Sequence, residues 1–244
     1  MSEINRAVLL IGGWADVGKC VEDLKSALIT HFNPTLHFRY AYAKQKYESG
    51  VFETMDNLAA RLYAYIRDNS LLKTDTHFSI IGYSQGGMLA LYTLGRYPEI
   101  CSHVHRIVSI AAPHGGALVD QLRGLVSGVQ KGIKELLLSS NNIFAQITGK
   151  LIEATESQLE TFGIGDAFSN FIENRYPLVV QEVFERIPKP RILEIYASND
   201  PIARPESCRR FEKNMETFQV DYSNHQSIAN FAQVIGKTIE FLHD

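Results

Sequence analysis

A serine with a glycine two residues away on each side, Gly82-Tyr83-Ser84-Gln85-Gly86, is the first candidate for covalent chemistry in this chain. A serine hydroxyl is a poor nucleophile until a base takes its proton. The motif lies where a buried strand is expected to meet a helix. On such a junction Ser84 would sit on a sharp, strained turn, its hydroxyl exposed at the end of a sheet. Gly82 and Gly86 suit that turn, because neither has a side chain to clash where strand and helix approach. The plain alternative is a strand-to-helix turn that merely uses glycines.

A nucleophile of this kind needs a base and an acid, and on this type of junction they follow in the order Ser, acid, His. His225, in Asn224-His225-Gln226, follows the last expected strand and precedes the last expected helix. His243 lies at the chain end. His103 and His105 precede the fourth strand, at its wrong end, and no third ligand joins them to hold a metal. Asp200, in Ser198-Asn199-Asp200-Pro201-Ile202, directly follows an expected strand and can orient an imidazole and balance its charge. Asp120 is the best alternative acid; Asp221 falls within the last expected strand and reads as structural or solvent-facing. Acyl transfer also needs donors for an oxyanion, and backbone N–H groups fixed in advance serve best. Those of Gln85 and Trp14 are expected, with Gly13 beside them.

These residues require a scaffold of alternating strands and helices. Apolar runs at Ala7–Ile11, His77–Gly82, Arg106–Ala111 and Arg191–Ala197 read as buried strands, with weaker ones at Leu36–Tyr42 and Phe218–Tyr222. Helical spacing marks Phe52–Asn69, Met88–Leu94 and Gln226–Leu242, and a short helix is expected over Glu206–Glu216. The pattern predicts an α/β fold: a mostly parallel, doubly wound sheet of about six strands, covered on both faces. Residues 117–187 interrupt the alternation with amphipathic helical spacing and read as an inserted cap or lid. Residues 1–116 and 188–244 then form the core.

Composition excludes several classes. The chain has 244 residues, 45% of them hydrophobic, and a formal net charge of −3. That suits one domain with an insertion, and no basic stripe suggests nucleic acid. The 3 cysteines are scattered, which argues for free thiols rather than a disulfide framework or a zinc site. No apolar stretch approaches the ~20 residues of a membrane span, and a cytoplasmic protein is expected.

The quoted motifs, with Ala112-Pro113-His114-Gly115-Gly116 and Asn199-Asp200-Pro201, resemble the α/β-hydrolase superfamily and its lipase-like branch. The resemblance implies ester or thioester hydrolysis without a cofactor or metal, and puts His114 in the substrate pocket with Gly13. Gly12-Gly13 stands where the family usually has His-Gly. The leucine and isoleucine faces of the cap either pack simply on the core or suit an apolar acyl ester or a lipid surface; its charges are mixed. Two readings compete. Gly13–Cys20 nearly matches a phosphate-binding P-loop, but Cys20 replaces the Ser or Thr that holds magnesium. A catalytically silent binding protein of the same fold is the other.

Overall fold

Ala7–Ile11 is apolar at every position, and a strand of this kind is stable only with both faces covered. The computed structural model, which describes residues 6–13, 19–32, 38–40, 54–73, 77–116, 170–200, 203–222 and 224–243, places it in β1 (Arg6–Ile11). The other strands are β2 (Phe38–Tyr40), β3 (His77–Tyr83), β4 (Val104–Ile110), β5 (Arg191–Ala197) and β6 (Glu216–Val220). They form one six-stranded sheet in the order β2-β1-β3-β4-β5-β6. Every neighbouring pair is parallel.

Strand side chains alternate between faces, so each buried run feeds two cores. Leu9, Ile11, Ile80, Ile107 and Ile192 face one cluster. It is closed by Leu58 and Leu62 of α2 (Met55–Asp68), Leu89 and Leu91 of α3 (Gln85–Arg96), and Tyr176 and Val180 of α4 (Tyr176–Phe184). Val8, Leu10, Ile81, Val108 and Ile195 face the other, with Leu24 and Leu28 of α1 (Glu22–Phe32). The last helix, α6 (Ala232–His243), adds Val234, Phe241 and Leu242. A short α5 spans Pro205–Cys208.

Several expectations shift. Helix α1 has no counterpart in the sequence reading, because its buried row is just Leu24 and Leu28. The helix expected over Glu206–Glu216 shortens to α5 and a 3-10 turn at Arg209–Phe211. Pairing with β5 starts β6 at Glu216, with Val220 against Ala197. Asp221 therefore lies just past the strand, where its carboxylate accepts a hydrogen bond from Ser198 Oγ at 3.0 Å. The closing helix breaks into a 3-10 turn, Ile228–Asn230, and α6.

Of the expected cap, residues 117–169 lie outside the described residues, and so does Asp120. The described remainder packs into the core: Ile172, Tyr176, Val180 and Val183 share the cluster of β1, α2 and α3. Arg175 at the entrance to α4 donates to Asp56 of α2 at 2.8 Å, and Tyr92 of α3 donates to the same carboxylate oxygen at 2.9 Å. A Cβ on Gly116 would meet Ile172 Cγ2 at 2.6 Å, so residues 116 and 172 lie against each other. Arg210 bridges both sides of that place, donating to the carbonyls of His114 at 3.2 Å and Ile172 at 2.8 Å.

Candidate active site

The turn from β3 to α3 places Ser84 at φ 54°, ψ −125°. This is a left-handed conformation that a non-glycine residue adopts at a cost of about 1–3 kcal/mol. The turn is held on both sides. Ser84 N–H donates to the Ile110 carbonyl at 2.8 Å, and Gly87 N–H donates to the Ser84 carbonyl at 3.0 Å. Helix α3 begins at Gln85, so the amides of its first turn have no partners within the helix, and its positive dipole end lies at the serine.

Gly86 shows why the motif needs its second glycine. A Cβ there would run into the carbonyl oxygens of Ile11 and Gly12, backbone atoms at the end of β1 that have no room to give. We expect Gly86→Ala to lose about 3 kcal/mol or more by overpacking, read as the midpoint of urea unfolding. Wild-type stability in that variant would mean that β1 and α3 do not approach this closely.

His225 and Asp200 stand in loops at the same end of the sheet. His225 Nε2 lies 2.9 Å from Ser84 Oγ, and His225 Nδ1 lies 2.6 Å from Asp200 Oδ2. A carboxylate only accepts, so Nδ1 carries the proton and Nε2 is left to accept from the serine hydroxyl. Asp200 is 3% exposed and His225 7%. Asp200 Oδ1 also accepts from Ala203 N–H at 3.0 Å. The loop that carries Asp200 is pinned to β6, Ser198 N–H donating to Val220 O at 2.9 Å. Together the two hydrogen bonds join Asp200, His225 and Ser84 into one chain. Such a chain can move a proton off the serine and stabilise the imidazolium that results.

The loop after β1 reaches the serine as well. A Cβ on Gly13 would stand 2.9 Å from Ser84 Cβ and 3.2 Å from the Tyr83 ring. Trp14 lies outside the described residues, as do residues 15–18 of the P-loop-like stretch; Lys19–Val21 form a 3-10 turn. His103 belongs to the 3-10 turn Pro98–His103 and His105 to the start of β4, at the end of the sheet opposite Ser84. Among the described residues no helix is long and apolar enough to cross a membrane.

His114 departs from the expectation of a pocket wall. It has no exposed surface and sits in a separate polar network. Its Nε2 lies 3.1 Å from Glu194 Oε2 and 3.4 Å from Ser109 Oγ, and its Nδ1 lies 2.7 Å from the Tyr176 hydroxyl. Glu194 is equally buried, and its Oε1 accepts from Ala112 N–H at 3.1 Å. Burial pushes the Glu194 carboxyl above the usual range, against the pull of His114, Ser109 and the Ala112 amide. Sequence reasoning missed Glu194, although one acid inside the apolar strand Arg-Ile-Leu-Glu-Ile-Tyr-Ala was a visible signal. It also missed Tyr83, whose hydroxyl donates to the His225 carbonyl at 2.6 Å.

Solved structures share this arrangement of strands and helices. A bromoperoxidase from Bacillus anthracis superposes with a TM-score of 0.65 at 15% identity, covering 98% of this chain and 92% of its own. An esterase from Exiguobacterium antarcticum gives 0.63 at 14% identity, with 98% and 92% covered. A hydrolase from Oleispira antarctica gives 0.62 at 15% identity, with 98% and 91% covered. At these identities the likeness is one of fold, and the fold is that of the α/β-hydrolases. No curated protein sequence matches the chain significantly. A family model, described as palmitoyl protein thioesterase, matches residues 8–174, which is more than half of the chain and includes the Ser84 elbow. The chain belongs to the palmitoyl protein thioesterase family.

Proposed function

We propose that the protein is a serine hydrolase that cleaves carboxylic esters or thioesters of apolar acyl groups through an acyl-enzyme. The observation that carries this reading is the hydrogen-bonded chain from Asp200 through His225 to Ser84, ending on a strained elbow. Family membership supports an acyl substrate.

In the first step Ser84 Oγ attacks the acyl carbonyl carbon while His225 Nε2 takes the hydroxyl proton. The carbonyl oxygen becomes an oxyanion. The Gln85 N–H at the start of α3 is one donor for it, and the Trp14 N–H after β1 is our choice for the other. The intermediate then collapses, the bond to the leaving group breaks, and Nε2 gives its proton to the departing alcohol or thiol. Water, deprotonated by the same nitrogen, attacks the acyl-enzyme and releases the acid and free Ser84. Asp200 keeps the imidazole in the tautomer that accepts at Nε2 and balances its charge. A thiol has a pKa of roughly 8.5, so a thiolate leaves with little protonation, whereas an alkoxide needs the proton from His225. Weakening the base should therefore slow oxoesters more than thioesters.

The reading is tested with matched p-nitrophenyl esters and acyl thioesters running from acetyl to palmitoyl. kcat/KM should rise by about 10-fold or more over the first few added pairs of methylenes, as each buries in an apolar site. A flat profile, or a preference for acetate, would count against an apolar acyl substrate. Micromolar affinity for magnesium–ATP would instead favour the P-loop reading of Gly13–Cys20.

A further inference from the structure

The residue before the nucleophile does more than fill the core. Tyr83 is 3% exposed, and its ring lies in the same cluster as Ile81, Ile228 and Ala229. Its hydroxyl passes beneath the base loop and donates to the His225 carbonyl at 2.6 Å. The Tyr83 and His225 rings stand 5.4 Å apart between centroids. Two adjacent residues, Tyr83 and Ser84, thus grip one histidine, the first by its backbone and the second by its imidazole.

We propose that Tyr83 is a positioning residue that sets the distance between His225 and Ser84, acting on the base through its backbone and touching no substrate. The proposal rests on the reading of Ser84 and His225 as nucleophile and base. Its physical basis is stiffness. A buried aromatic ring is a rigid spacer with two rotatable bonds, and its phenol must find a partner once buried. Tyr83 is bonded through the chain directly to Ser84, so the span from the serine backbone to the His225 carbonyl is that of one ring. The rest of the base loop is held within itself and to α1. Tyr222 Oη and Ser227 Oγ lie 2.8 Å apart, and Asn230 Oδ1 accepts from Asp23 N–H at the start of α1 at 3.2 Å. Neither contact refers the loop to the nucleophile. Without the phenol, His225 would keep its loop but lose its register against Oγ, where a displacement on the order of 1 Å costs about 100-fold in rate.

The test is Tyr83→Phe, which keeps the ring and deletes the hydroxyl, with Tyr222→Phe as the control that deletes another hydroxyl from the same loop. Steady-state ester hydrolysis should show kcat down by about 10- to 100-fold in Tyr83→Phe with KM unchanged, and no change in Tyr222→Phe. A purely structural role would not move the second readout, the far-downfield proton NMR resonance of the His225 Nδ1–H in its 2.6 Å bond to Asp200. That resonance should broaden in Tyr83→Phe and persist in Tyr222→Phe. A folded Tyr83→Phe protein with wild-type kcat and an unchanged resonance would overturn the proposal. Should Tyr83→Phe fail to fold, Tyr83→His keeps a ring that is too short to reach the His225 carbonyl, and turnover should fall together with the downfield proton; loss of one without the other, or of neither, overturns the proposal equally. Ser84→Ala separates the two levels. If it retains turnover, the nucleophile assignment has failed, whatever Tyr83 does.

Discussion

Ser84→Ala should lower kcat by about 10^4- to 10^6-fold, and labelling by a fluorophosphonate should vanish with it. The variant keeps the fold. Alanine occupies the same left-handed φ of 54° at the same cost as serine, so the elbow's strain is unchanged. What is lost is one hydrogen bond to His225, about 1 kcal/mol, or a shift of about 2–4 °C in Tm for a domain of this size. His225→Ala should lose turnover to a similar degree, because the serine proton then has no acceptor. Its effect on stability differs. It leaves the Asp200 carboxylate, 3% exposed, without the His225 N–H at Oδ2, and a buried charged acceptor that loses a donor costs about 1–3 kcal/mol or more. The pair is therefore diagnostic: equal losses of rate, unequal losses of stability. Labelling that survives in Ser84→Ala, or near wild-type turnover in His225→Ala, would contradict the roles assigned to them.

Glu194→Ala should be strongly destabilising, by about 3–5 kcal/mol. Its carboxylate sits inside β5 with no exposed surface and takes bonds from the Ala112 amide and His114. Truncation leaves both donors buried beside a cavity. The damage falls on the contact between residues 114–116 and α4, since His114 also meets Tyr176 of α4 and its carbonyl is held by Arg210. Glu194→Gln keeps the volume and one acceptor and should cost less. It also removes a titration. Burial raises the folded pKa of Glu194 above the ordinary 4.5, so the folded state holds that proton more tightly than the unfolded chain. The associated stability is complete below pH ~4.5 and is lost as pH rises through the higher folded value. Urea unfolding of wild type and Glu194→Gln across this range should show wild type losing stability with rising pH relative to the variant. A difference independent of pH would mean that Glu194 does not titrate in the folded protein.

Tyr83 and Glu194 also mark where local reasoning ends. Both stand in runs whose apolar pattern already announces a buried strand, so each looks like strand filling. Their polar atoms acquire partners 142 and 80 residues away, at His225 and His114. No period or spacing encodes such a partner. Helix α1 was hidden for the opposite reason: with two buried leucines, its amphipathic row is too thin to stand out. The start of β6 is set by pairing with β5, because a lone five-residue segment has several equivalent registers and the neighbouring strand selects one.

By itself the sequence determined the buried strands, because continuous apolar runs have no stable alternative in water, and it determined the elbow, because two glycines around a serine at a strand–helix junction allow the close approach seen at Gly86. It also placed Asp200 and His225 in loops that follow strands. Whether those loops meet was decided by the tertiary structure alone. Ser84 and His225 are 141 residues apart, and the 2.9 Å between Oγ and Nε2 exists because a parallel sheet brings the carboxyl ends of its strands to one edge. Hydrophobic patterning acts locally and selects strands; hydrogen-bond geometry is satisfied once the sheet has closed, and that step turned three candidate residues into one connected chain.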